Sequence, residues 1–69
     1  MENELRAAAI RRGMSIPSLA AQIGISKKRM YSRLHGQTSF KQNEILLIRD
    51  CLDLTDDEVI RIFFSNYVS

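Results

Sequence analysis

The chain is poor in the residues that carry covalent, redox or metal chemistry. Its 69 residues include one cysteine, Cys51, one histidine, His35, three glycines and no tryptophan. A single cysteine excludes an intrachain disulfide framework and a four-cysteine zinc site, and the lack of disulfides suits a reducing cytoplasm. Cys51 stands in an apolar helical stretch and reads as a small buried hydrophobe. There is no glycine-rich phosphate loop and no metal-ligand spacing, so no metal, cofactor or small-molecule ligand is expected, and no catalytic residues. The carboxylates Asp56, Asp57 and Glu58 read as a helix start, not as a catalytic pair. No apolar run approaches the roughly 20 residues that span a membrane. The opening MENELRAAAIRRG sets acids ahead of its short apolar stretch, unlike a secretory signal. Repeats, low-complexity segments and linkers are also missing, and residues 1–69 read as a single domain.

Acidic residues are scarce in one half of the chain. From Met1 to Lys41 only Glu2 and Glu4 stand against Arg6, Arg11, Arg12, Lys27, Lys28, Arg29, Arg33 and Lys41, a net +6. From Gln42 to Ser69 only Arg49 and Arg61 stand against Glu44, Asp50, Asp53, Asp56, Asp57 and Glu58, a net −4. Such a partition implies one surface suited to a polyanion and another that faces away from it.

What is present is helical periodicity throughout. The pattern predicts an all-α protein, a compact five-helix bundle with a helix-turn-helix. The first helix is expected over about Asn3–Arg12, with Leu5, Ala8 and Ala9 inward and Gly13 ending it. The stretch Ser15–Gly36, SIPSLAAQIGISKKRMYSRLHG, supplies the helix-turn-helix. Ser15 caps its first helix and Pro17 sits in the first turn, where a missing N–H costs nothing. Leu19 and Ile23 share a face, and Ala20 is small where helices must approach closely. Gly24 suits the left-handed position that ends the helix, Ile25 anchors the turn, and Ser26 caps the next helix. Met30 and Leu34 then face inward, leaving the cations, Tyr31, Ser32 and His35 outside. A fourth helix is expected over Lys41–Leu52 with Ile45, Ile48 and Leu52 inward. Leu46 and Leu47 give it more apolar surface than one core contact needs. Thr55 and Glu58 form a capping box for a fifth helix from Asp56 to about Phe64, with Val59, Ile62 and Phe63 inward. The C-terminal helices and tail span 41–69.

With its elements in this order, the chain resembles the Cro/repressor-type (XRE-like) helix-turn-helix family of small phage and bacterial regulators. The likeness covers about Leu5 to Phe64. It rests on Gly13, LAAQIGIS, a basic helix, LHG, and SFKQNEILLIRDCLDLTDDEVIRIFF, which looks like the fourth and fifth helices of short Cro-like phage proteins. The chain departs from the family at two places. Many members pair an Arg late in the first helix with a Glu near the end of the third; Ala9 and Leu34 occupy the matching positions. Many also open the reading helix with Gln or Ser, where this chain has Lys27, Lys28 and Arg29.

The resemblance implies a sequence-specific double-stranded DNA-binding transcription regulator in the cytoplasm of a bacterial host cell, at the nucleoid, reading the major groove with helix 26–35. Residues near the start of that helix reach base edges, so Lys27, Lys28, Tyr31 and Ser32 are expected at bases. Lysine donating to guanine O6 and N7 suggests a G-containing half-site. Ser15, Ser26, Arg29, Arg33, Gln37, Ser39, Lys41 and Asn43 are expected at phosphates, with Arg29 and Arg33 also suited to salt bridges within the protein. The expected partner is a DNA operator bound by a homodimer, with Phe64, Tyr67 and Val68 at the dimer contact. The alternative is a protein-binding helical module on the same fold, an antirepressor, adaptor or inhibitor.

Overall fold

Three helix starts among the described residues are set by side chains that accept backbone N–H groups left over at the first turn. In the computed structural model, which describes residues 1–64, Ser15 Oγ accepts from Ser18 N at 3.2 Å and Ser26 Oγ accepts from Arg29 N at 3.1 Å. Thr55 Oγ1 accepts from Glu58 N while Thr55 N donates back to Glu58 Oε1, so both halves of the capping box are made. These caps open α2 (Ile16–Ile23), α3 (Lys27–Leu34) and α5 (Asp56–Phe63); α1 is Glu2–Arg11 and α4 is Gln42–Leu52. The described residues contain no strand. Tyr67 and Val68, two of the three residues expected at a dimer contact, lie outside the described range.

The turn from α2 to α3 needs a residue with positive φ. Gly24 takes φ +80°, its N–H donates to Ala21 O, and Ile25 N donates to Ala20 O at 3.0 Å. This closes α2 in two residues and lets Ser26 start α3 at once. The same arrangement closes α4 without a glycine. Asp53 is left-handed at φ +52°, and Leu54 N donates to Arg49 O at 2.9 Å.

Every helix contributes to one apolar core. Leu5, Ala8 and Ala9 from α1, Leu19, Ala20 and Ile23 from α2, and Met30 and Leu34 from α3 are buried with Ile48, Leu52 and Ile62. The helix α2 packs against α1, α3 and α4. Ala9 and Leu34 are 1% and 2% exposed, so both positions are filled by apolar packing.

Several expectations are corrected, Val59 on α5 and Ser32 on α3 among them, which are half-buried rather than inward and outside as expected. The buried stripe of α4 is Glu44, Ile48 and Leu52, four apart, while Ile45 is only half-buried. Cys51 stands beside that stripe and is half-buried, its Sγ 3.6 Å from Met14 Sδ. Tyr31 is not left outside; it packs partly on the core and stacks on His35 with ring centroids 6.1 Å apart. No helix among the described residues is long and apolar enough to cross a membrane.

Candidate nucleic-acid interface

The basic half of the chain divides into cations that are tied down and cations that are not. Arg12 Nε donates to Leu52 O at 2.8 Å, and its Nη2 lies 3.4 Å from Asp53 Oδ2, so it stitches α1 to the end of α4. Arg11 Nη2 reaches Glu58 Oε2 at 3.2 Å across to α5. Arg6 pairs with Glu2 at 3.1 Å along α1. That hydrogen bond, with a further one from His35, holds the Glu2 carboxyl below its ordinary range despite some desolvation. Arg33 is the fourth, and its partner is buried.

Arg33 is therefore withdrawn from the expected phosphate contacts. Its side chain is 9% exposed, and its Nε donates to Glu44 Oε1 at 2.7 Å. A guanidinium in that position cannot reach a ligand without breaking a buried pair. Of the two roles its sequence position suits, it takes the internal salt bridge.

The cations of residues 1–41 that make no ion pair among the described residues are Lys27, Lys28, Arg29 and Lys41. All four are exposed. Three occupy the first turn of α3, where the helix dipole already leaves partial positive charge. Arg29 N is used by the Ser26 cap and Met30 N by Ser26 O, which leaves the N–H groups of Lys27 and Lys28 facing solvent. One helical turn on, Tyr31 and Ser32 lie i+4 from Lys27 and Lys28 and share their sides of the helix. Both are half-buried, and Ser32 Oγ sits 3.4 Å from Thr38 Oγ1. Lys41 is the N-cap residue of α4.

The remaining expected contacts are all on the surface. Ser15 is exposed at the start of α2, Gln37 and Ser39 in the loop between α3 and α4, and Asn43 in the first turn of α4. Gln37 N donates to Ser32 O at 3.0 Å, which turns the loop back against α3. Phe64 is 40% exposed and borders a groove with Phe40, Ile45, Leu46 and Val59. No cluster of three His, Cys, Asp or Glu residues that could hold a metal occurs among the described residues.

Glu44 is the residue that sequence reasoning passed over. Its only local signal is a Glu three positions after Lys41, the reverse half of a capping box, and Lys41 N does donate to Glu44 Oε1 at 2.9 Å. Its pairing with Arg33 has no local signal, because the two are 11 positions apart across a loop. Comparison of the chain with protein-family models, with curated proteins and with solved structures finds no match.

Proposed function

We propose that this protein binds double-stranded DNA through α3, as a sequence-reading transcription regulator of the phage Cro-like kind. One observation carries the reading. In the basic half, the arginines of α1 and Arg33 are engaged within the protein, and the unengaged cations gather at the starts of α3 and α4. Solvation alone gives no reason for such sorting; a polyanionic partner does. The tight Gly24–Ser26 turn between α2 and α3 supports reading the pair as a helix-turn-helix, in which the second helix enters the major groove with its N-terminus near the bases. Lys27 and Lys28, with Tyr31 and Ser32 behind them, are then the base-reading set. Arg29 and Lys41, with Ser15, Ser26, Gln37, Ser39 and Asn43, address phosphates.

A helix of eight residues is about 12 Å long and serves one half-site. Two copies related by a two-fold axis would place two reading helices one DNA turn apart. Phe64, on an apolar groove, is the described candidate for that contact, with Tyr67 and Val68 following it.

A second reading has its own observation. Leu46, Leu47 and Ile60 are 41–47% exposed on the acidic half, large apolar side chains that a protein partner would cover. Selection of bound duplexes from a random pool, followed by gel shifts against a scrambled duplex at moderate salt, separates the two. A reader of DNA discriminates, and Lys28→Ala relaxes the preference at one position. Equal affinity for selected and scrambled duplexes, with capture of a single protein partner, favours the helical module.

A further inference from the structure

The buried Arg33–Glu44 pair has a geometry that an apolar filler could not supply. Glu44 Oε1 accepts two hydrogen bonds at once, from Arg33 Nε on α3 at 2.7 Å and from the backbone N–H of Lys41 at 2.9 Å. One oxygen atom therefore fixes the start of α4 against the second half of α3. Between them runs a loop, His35 to Phe40, held at its α4 end by the Phe40 ring on Phe63. At its α3 end it is held by backbone bonds to Tyr31, Ser32 and Arg33, by His35 against Glu2 and Tyr31, and by Thr38 Oγ1 near Ser32 Oγ. Burial of both charges costs solvation, and a buried ion pair commonly adds little net stability over hydrophobic residues of similar volume. What it does supply is direction, since both hydrogen bonds hold only when the two helices keep one distance and orientation. The pair is also neutral as a unit, so it adds nothing to the outward positive field of Lys27, Lys28, Arg29 and Lys41.

We infer that Arg33 and Glu44 are positioning residues: they hold the Lys41 end of α4 in register with the cationic first turn of α3, so that both meet one polyanion together. The inference rests on the DNA-binding reading above. The pair touches no ligand itself. It makes the Lys41 ammonium effective by fixing the backbone that carries it, while that side chain has no ion-pair partner among the described residues.

The test is a coupling measurement on a fluorescent mixed-sequence duplex of about 20 base pairs, titrated from about 50 to 200 mM salt. In the wild-type background Lys41→Ala should weaken binding roughly five- to ten-fold at about 0.1 M salt and lower the salt slope by about 0.9. In an Arg33→Met/Glu44→Met background, folded by circular dichroism, the same Lys41→Ala change should have almost no effect. In an Arg33→Gln/Glu44→Gln background, which keeps an acceptor for the Lys41 N–H, the effect should return. Equal effects in all three backgrounds overturn the inference and leave the DNA reading standing. Absence of binding by the wild-type chain overturns both. Hydrogen exchange on the wild-type chain tests the clasp without any variant. The Lys41 amide should be protected well beyond the exposed Ser39 amide, and equal exchange rates overturn the inference whether or not the methionine pair folds.

Discussion

Glu44 is the residue on which most of this molecule's polar interior depends. Its carboxylate neutralises a guanidinium that is 9% exposed and also closes the first turn of α4. Removing one member of a buried pair leaves the other charge uncompensated, at about 3–5 kcal/mol, whereas replacing both by apolar residues is often neutral. A chain of this length has a total stability of roughly 4–10 kcal/mol. Glu44→Leu should therefore bring the protein near the edge of folding, while Arg33→Met/Glu44→Met should melt within a few degrees of wild type. Urea unfolding of the two variants checks this; equal losses would mean that Arg33 finds water or another acceptor when Glu44 is gone. No such penalty attaches to Ala9 or Leu34, which are buried in the apolar core.

Most element boundaries were legible, because caps and stops are local chemistry. Ser15, Ser26 and Thr55 accept N–H groups three residues ahead, and Gly24 has φ +80°. A Cβ at Gly24 would meet nothing within 4 Å, so the cost of substituting it is conformational alone. Gly24→Ala should cost about 1–2 kcal/mol and lower the melting temperature by several degrees; a thermal melt unchanged within error would mean the turn had rearranged. The α5 cap yields a pH prediction. Glu58 is held below its ordinary range, first by the Thr55 backbone N–H that it accepts, with Arg11 adding attraction. Because its pKa is depressed in the folded state, its contribution is present above the ordinary carboxylate range and is lost as pH falls through the folded value. Melting temperature followed from about pH 6 to about pH 3 should fall less steeply in Glu58→Gln than in wild type; identical acid limbs would remove Glu58 from the account. What was illegible is what crosses between elements. Arg11 meets Glu58 over 47 positions and Arg12 meets Leu52 O over 40. No spacing rule reaches that far, so Arg33 looked as available to phosphate as Arg29.

Those long-range pairings change how the charge of the whole molecule is read. A net +6 over residues 1–41 suggests a broadly basic half, yet four of its arginines are spent on Glu2, Glu58, Asp53 and Glu44. What remains for a partner is four exposed cations at the starts of two helices, and the two of them assigned to phosphate, Arg29 and Lys41, have a measurable consequence. Each phosphate neutralised by a lysine or arginine contributes about −0.9 to the slope of log K against log salt. With Arg29 and Lys41 on phosphate, one copy on a duplex should thus give a slope of about −2, and a two-fold pair about −4. Arg12→Gln should lower stability by loosening α1 from α4 and leave the slope unchanged, whereas Arg29→Ala/Lys41→Ala should lower it by about 2 per copy and Lys27→Ala/Lys28→Ala should instead relax base preference. Anisotropy titrations over a salt series, paired with a stoichiometry measurement, decide the matter. A slope near zero would mean that phosphate is not the partner of these cations, and the exposed apolar side chains Leu46, Leu47 and Ile60 would become the place to look for a partner. A slope near about −5 from a single bound copy would mean instead that the paired arginines turn outward on binding, and that the internal salt bridges are a resting state of the same interface.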